Sequence, residues 1–502
     1  MTGSAANLAE LLAVRAEQQP AAVALGEPGG PGLTWRELEQ RVAATSAALS
    51  AAGLVAGQRV LLALPNSVRL VVDVLACLRA GLVAVPIDPE TPAGERDALV
   101  DRTGARLVLT GRTQLDQTQL DQTRPDQTRP DQTRDVGPEH DPPGTTADVL
   151  VLPPLDPAAL AVLLRTAGTS AEAKIAMLSH HALAVPAERL ARLGLITGDD
   201  VVLAAVPLWH VYGLGVIVGG WLAAGCRLVV AAPDTELGPV VETEGVTVLP
   251  AVPAMLERLL REDGVADRLG GLRLVLSAAA PLSDELAAEF AAATGHRIES
   301  GYGLTEAAGG VTTTLTSAER GSRRGFGHVG RPMPGVDVRI GDGSDPGEPD
   351  RIWIRADHLF SGYWPDGAGG PDPDGWYDTG DLGYLVDGEL YLVERSRELI
   401  TVHGFPVYPA EVEHVLAAHP GVVECAVIGH RAGVIAFVVT RDDVTADQVA
   451  EHCAAELPKF KRPAEIRRVD ALPRGVTGKI QKSVLRRLLD QDRQSHDRKG
   501  AR

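Results

Sequence analysis

Residues 165–175 read Arg-Thr-Ala-Gly-Thr-Ser-Ala-Glu-Ala-Lys-Ile and follow the apolar run Leu160–Leu164. Gly168, the hydroxyls of Thr166, Thr169 and Ser170, and the charge of Lys174 suit phosphate. Backbone N–H groups and hydroxyls donate to its oxygens, and lysine supplies the charge. Taken alone, such a stretch is also an ordinary turn. Further along, Tyr302, Gly303, Thr305 and Glu306 fall in one short string, and a carboxylate there can ligate a hard cation. Asp381 ends a Thr-Gly-Asp triplet, and its two oxygens can accept a pair of hydrogen bonds from hydroxyls. His210 follows the apolar run Val201–Val206, and the C-terminal end of a strand is well placed for a pocket. Lys479 follows Gly478 near the C-terminus.

The order of these stretches resembles the adenylate-forming superfamily, and within it the acyl-CoA ligase branch. Three further strings carry the resemblance: Gly330–Gly335 (GRPMPG), Phe360–Trp364 (FSGYW) and Leu472–Ile480 (LPRGVTGKI). It covers nearly the whole chain. What it implies is a two-step ligase: a carboxylic acid and ATP give acyl-AMP and pyrophosphate, and the thiol of CoA then displaces AMP. Thr166, Gly168, Thr169, Ser170 and Lys174 would hold phosphates, Ala279 and Tyr302 would flank the adenine, and Gly303 would give the acyl-phosphate room. Thr305 would donate to the α-phosphate, Glu306 would ligate Mg²⁺, and Asp381 with Arg395 would hold the ribose. Lys479 would bridge carboxylate and α-phosphate, with Arg397 at the hinge of a swivelling small domain. His210, Gly404 and Phe405 would line the path of CoA. Amino-acid-activating relatives carry an Asp where His210 stands, so the resemblance implies a plain carboxylic acid. CoA is the implied co-substrate and AMP the implied leaving group, with ATP and Mg²⁺ required if adenylation is retained.

The phosphate stretch departs from the family pattern Thr-Ser-Gly-Thr-Thr-Gly-x-Pro-Lys-Gly at Ala167, Ala171, Ala173 and Ile175. Glycine lets backbone approach an anion closely, sometimes with positive φ; alanine tolerates that poorly and a β-branched isoleucine hardly at all. Ile175 would also put an apolar side chain where β- and γ-phosphates need donors. Acyl-AMP has neither phosphate. The expectation is therefore an enzyme with a sound thioesterification half and a weak or absent adenylation half, fed by a companion adenylating enzyme. A shifted loop that still binds ATP, giving a complete ligase, stays open. So do a non-catalytic acyl-AMP-binding protein and a carrier protein as thiol acceptor. Lys459, Lys461, Arg462 and Arg474 form a local basic group that could meet CoA phosphates or simply face solvent.

Positioning these residues requires alternating elements. Apolar runs at Val60–Pro65, Val83–Ile87, Leu107–Thr110 and Leu160–Leu164 predict buried strands, and Val68–Ala80, Ala182–Leu193 and Asp284–Thr294 predict helices. The alternation predicts an α/β fold with parallel or mixed sheets flanked by helices. A chain of 502 residues accommodates a large N-terminal domain with a small β subdomain over 1–394, and a small mobile α+β domain over 395–490. In the latter the pattern predicts strand Leu399–Val402, helix Ala410–Ala418, strands Glu424–Ile428 and Val434–Val439, helix Ala446–Leu457 and strand Glu465–Val469. Residues 491–502 predict a flexible tail. A five-residue repeat over 115–134 (LDQTQ, LDQTR, PDQTR, PDQTR) has too little apolar content to bury a face, which predicts a disordered loop over 112–146.

The net charge of −18, from 66 acids against 48 bases, disfavours nucleic acid or an anionic membrane as the main partner. Phosphate must be met by local structure. Four scattered cysteines without a C-x-x-C predict reduced thiols, and the N-terminus lacks the basic-then-apolar pattern of a signal peptide. The longest uncharged stretch, Val201–Cys226, is broken by Pro207 and His210, too short an apolar run for a membrane span. Together these predict a cytoplasmic enzyme.

Overall fold

A computed structural model describes residues 7–111, 156–166, 173–316, 327–341, 349–395, 398–402, 405–430, 433–441, 444–475 and 480–489. The predicted repeat loop, most of the phosphate stretch (Gly168, Thr169 and Ser170 included), Arg397, Gly404, Lys479 and the tail lie outside the described residues.

Val- and Leu-rich runs bounded by glycine and proline form strands buried on both faces, which is what a helix-covered parallel sheet demands. In spatial order, Val23–Gly26, Arg227–Val230, Val201–Ala204, Val248–Ala251, Leu274–Ser277 and Ile298–Leu304 run parallel. Ile298–Leu304 then turns the sheet antiparallel by pairing with Gly309–Thr313. From there it continues through His328–Pro332, Glu389–Arg395, Trp376–Val386, Asp350–Ala356 and Val336–Ile340. The strand carrying Tyr302 is thus the seam between a parallel half and an antiparallel half.

A second sheet has the order Leu107–Thr110, Arg59–Ala63, Val83–Pro86, Leu160–Arg165 and Ile175–Ser179, the last antiparallel to its neighbour. Helix Val68–Arg79 is buried from Leu70 onward, and the stacked rings of Trp35 and Trp221 lie 5.2 Å apart beneath the larger sheet's edge. The helix predicted at Ala182–Leu193 spans His180–Arg192, because the Ser179 hydroxyl accepts from the Ala182 N–H and sets the start two residues earlier.

The uncharged stretch 201–226 is strand Val201–Ala204, a buried π-helical segment Tyr212–Val218 and helix Gly219–Ala224. Glycine is forced here by contact: a Cβ on Gly213 would lie 2.3 Å from the Pro207 carbonyl oxygen, and one on Gly215 would lie 2.2 Å from that of Ala308. Among the described residues no helix is long and apolar enough to cross a membrane.

The C-terminal elements form a separate core. Val422–His430 and Gly433–Thr440 are antiparallel, Glu465–Arg468 adds in parallel, and helices Pro409–Ala417 and Ala446–Glu456 pack Val412, Leu416 and Val449 against them. Thr445 and Gln448 close a reciprocal cap on the second helix. A last helix covers 482–489.

Candidate active site

The phosphate stretch is the connection of a hairpin. Arg165 pairs with Ile175 across antiparallel strands, and the Thr166 N–H donates to the Lys174 carbonyl at 2.9 Å. Ile175 itself corrects the sequence expectation. It is a strand residue, absent from the positive-φ positions, and its side chain is 1 % exposed in a cluster with Leu61, Val83, Val85, Leu99 and Leu163. Strand alternation turns its side chain into the core and away from any phosphate. The glycine lost at 175 therefore costs no backbone strain and places no apolar group in the loop.

Lys174 is exposed, and its Nζ stands 4.3 Å over the ring centroid of Tyr363. The Tyr363 hydroxyl donates to Glu306 Oε1 at 2.6 Å and lies 2.9 Å from the Tyr377 hydroxyl. Phe360 meets both tyrosine rings edge-on, and its N–H donates to the Glu306 carbonyl at 2.8 Å. Burial, and then the Glu306 carboxylate beside it, push the Tyr377 phenol well above its ordinary pKa, so it stays a protonated donor. The lysine at the mouth of the hairpin and the acidic residue of the Tyr-Gly-Leu-Thr-Glu string thus meet on one tyrosine, the first over its ring and the second at its hydroxyl.

No cluster of three metal-ligating side chains occurs among the described residues. A single carboxylate oriented by a phenol suits Mg²⁺, which keeps much of its water and fills its shell from substrate phosphates. Glu306 is the residue that would hold it.

Asp381 sits on the second side. A tight Asp-Thr-Gly-Asp turn builds it: the Gly380 N–H donates to Asp378 Oδ1, and the Asp381 N–H donates to Thr379 Oγ1. Gly380 takes a φ of +72°, which explains glycine at that position. The carboxylate is buried and accepts the Tyr302 hydroxyl at 2.6 Å. Arg395 is the cross-strand partner of Asp381 by backbone register, so the two candidate ribose contacts come from neighbouring strands. Phe405 belongs to the short strand Phe405–Val407, paired with Ile400–Val402.

Beside Tyr302 lies a pocket of about 600 Å³, counting its open mouth. Tyr302, Gly303, Ala278, Ala279 and His210 all line it. Gly303 is dictated by packing: a Cβ there would fall 2.1 Å from the Gly309 carbonyl oxygen. Ala279 holds a left-handed φ of +68° and Ala308, two residues beyond Glu306, one of +51°. His210 is half-buried, and its Nδ1 accepts from the Tyr212 N–H at 3.2 Å. That bond leaves the proton of a neutral ring on Nε2. Thr305 is buried in the turn Thr305–Ala307.

Of the basic group near the C-terminus, Lys461 binds both oxygens of Glu411 and Arg474 pairs with Glu424 at 3.2 Å, while the Arg462 guanidinium donates to the Leu457 carbonyl. These contacts tie three of the four basic groups to the small domain itself. Tyr363 was visible as a member of the Phe360–Trp364 string, but its role was not. Glu306 lies 57 positions from Tyr363, and only folding makes them neighbours.

The AMP-binding enzyme family model matches residues 12–364, and its C-terminal domain model matches residues 411–479. The long-chain-fatty-acid–CoA ligase of Yersinia pestis is 30 % identical over 95 % of this chain and 93 % of its own length. The 4-coumarate–CoA ligase 5 of Oryza sativa subsp. japonica is 31 % identical over 92 % and 90 %. The crystal structure of ATP-bound MatB from Rhodopseudomonas palustris superposes with a TM-score of 0.83 at 29 % identity, covering 96 % of this chain and 98 % of that one.

Proposed function

The chain belongs to the AMP-binding enzyme family, in its acyl-CoA ligase branch, and from that premise we propose that it converts a carboxylic acid to its CoA thioester through an acyl-AMP, with adenylation the slower half. The observation that carries this reading is the pair of phenol–carboxylate contacts: Tyr302, which lines the pocket, holds Asp381, and Tyr363, beneath Lys174, holds Glu306. In the first half-reaction a carboxylate oxygen attacks the α-phosphorus of ATP and pyrophosphate leaves. Glu306 would hold Mg²⁺, which would supply charge against the phosphates, while Lys174 supplies charge and Lys479 bridges carboxylate and α-phosphate. In the second, the CoA sulfur attacks the acyl carbon, the C–O bond to AMP breaks and the thiol proton is released. Asp381 and Arg395 hold the ribose through both halves, Tyr302 and Ala279 flank the adenine, and His210, Gly404 and Phe405 line the thiol's approach. Residues 395–490 swivel at Arg397 between the halves.

The slower adenylation is supported by Ala171 and Ala173 in place of the family's glycine and proline, which bear on pyrophosphate alone. Ile175 no longer contributes to that argument. A companion enzyme that supplies acyl-AMP, and a carrier protein in place of CoA, remain compatible acceptors and donors for the same cleft.

Two reactions test the proposal: free acid with ATP, Mg²⁺ and CoA in one, and synthetic acyl-AMP with CoA in the other. Thioester should form faster in the second. Equal rates would establish a complete two-step ligase, and acyl-AMP binding without thioester would establish a binding protein.

A further inference from the structure

Among the described residues of the pocket lining, two serines have buried hydroxyls without a partner. Ser277 and Ser300 are 3 % and 5 % exposed, both line the pocket, and neither Oγ has a hydrogen-bond partner in the structure. Ser277 ends its strand and stands in direct register with Ser300, the third residue of the neighbouring parallel strand Ile298–Leu304, so the two side chains leave the sheet on the same face. Other polar groups of the lining are engaged. The Tyr212 hydroxyl donates to the Leu276 carbonyl, Thr312 donates to the Val329 carbonyl, Thr313 accepts from the Leu315 N–H, and Tyr302 holds Asp381.

Apart from His210 the remaining wall is apolar, with Leu190, Leu195, Val211, Val216 and Met333, and among the described residues the lining holds no Lys, Arg, Asp or Glu. A buried hydroxyl without a partner is costly, and native interiors satisfy such groups with protein, water or ligand. A second carboxylate on the substrate would be buried here with no Lys or Arg among the described lining residues to pair it, which costs more still.

Resting on the acyl-AMP ligase proposed above, we propose that the substrate is a monocarboxylic acid with an apolar body and one uncharged hydroxyl or carbonyl group, and that the Ser277–Ser300 pair binds that group. A site built to hydrogen-bond a substrate oxygen discriminates strongly against the analogue lacking it, because its own groups are then left unpaired.

The test uses synthetic acyl-adenylates with CoA, so that a slow adenylation step does not enter. Matched acyl groups carry a terminal hydroxyl, a keto group, a second carboxylate or no substituent. The full-length enzyme should favour the hydroxyl or keto member over the unsubstituted one by at least ~10-fold in kcat/KM, and the dicarboxylate should be the poorest. Ser277→Ala with Ser300→Ala should bring the ratio of substituted to unsubstituted close to one; the single variants serve the same comparison if the double variant does not fold. A ratio that survives both substitutions overturns the proposal and leaves the ligase reading standing. So does an equal rise in KM for every acyl-adenylate whatever its substituent, which would assign the pair to the nucleotide they share. Thioester from none of the adenylates overturns the ligase reading itself, and this inference with it.

Discussion

Tyr363 joins two of the predicted chemical groups and a second tyrosine through one ring. Its face carries Lys174, its hydroxyl holds Glu306, and the same hydroxyl meets Tyr377. A ligand to a hard cation needs its carboxylate oriented, and the partners that orient metal ligands typically affect metal affinity by ~10–100-fold. Tyr363→Phe removes the donor to Glu306 Oε1 while keeping the ring beneath Lys174. The expected outcome is about a tenfold rise in the Mg²⁺ concentration needed for half-maximal ATP–pyrophosphate exchange. Turnover of preformed acyl-AMP, which needs no pyrophosphate-bound cation, should change far less. Equal losses in both assays would place Tyr363 in the shape of the pocket instead.

At the level of elements, the hairpin and the strand ends decide what the substituted glycines mean. Ala171→Gly restores the family residue at the position where close approach to pyrophosphate is at stake, and should raise ATP–pyrophosphate exchange several-fold. Ile175→Gly is the wrong companion, because deleting a fully buried side chain costs ~2–5 kcal/mol. Ala279 offers a second case. Its left-handed φ of +68° costs an alanine about 1 kcal/mol relative to glycine. Ala279→Gly should therefore leave the large domain more stable by somewhat less than that, because glycine also loses more backbone entropy on folding. Urea titration measures the change, and a loss of stability would contradict the strained backbone.

For the whole molecule, buried titratable groups set the response to acid. Burial lowers His180 to about 4, and burial followed by the neighbouring Arg189 lowers His358 to about 4. Both are neutral in the folded chain, so their stability is fully present above pH 6.5 and drains as pH falls toward 4. Burial raises Asp73 to about 6, which acts in the opposite sense: the folded state takes up that proton first and gains relative stability as pH falls from 6 to 4. Two histidines against one carboxylate leave a net loss, on the order of 3 kcal/mol between pH 6.5 and 4. Asp73→Asn removes the opposing group. The variant should be the more stable protein at pH 7 and should lose stability more steeply on acidification, as denaturant midpoints across that range would reveal.

Local chemistry and periodicity carried most of the fold. Strand and helix positions follow from apolar alternation and capping hydroxyls, which act over a few residues, so Leu160–Arg165, Asp284–Thr294 and the small domain's elements fall within about two residues of their predicted bounds. The family itself was legible for a related reason: its strings keep their order along the chain. Tertiary structure alone decided the rest. Ile175 reads as a spoiled phosphate contact until strand pairing turns it into the core. Tyr363 and Glu306, Tyr302 and Asp381, and Ser277 and Ser300 become neighbours only when the sheets assemble. The physical reason is that a hydrogen bond across a sheet or between loops depends on register and distance in space, and no property of either residue along the chain encodes its partner.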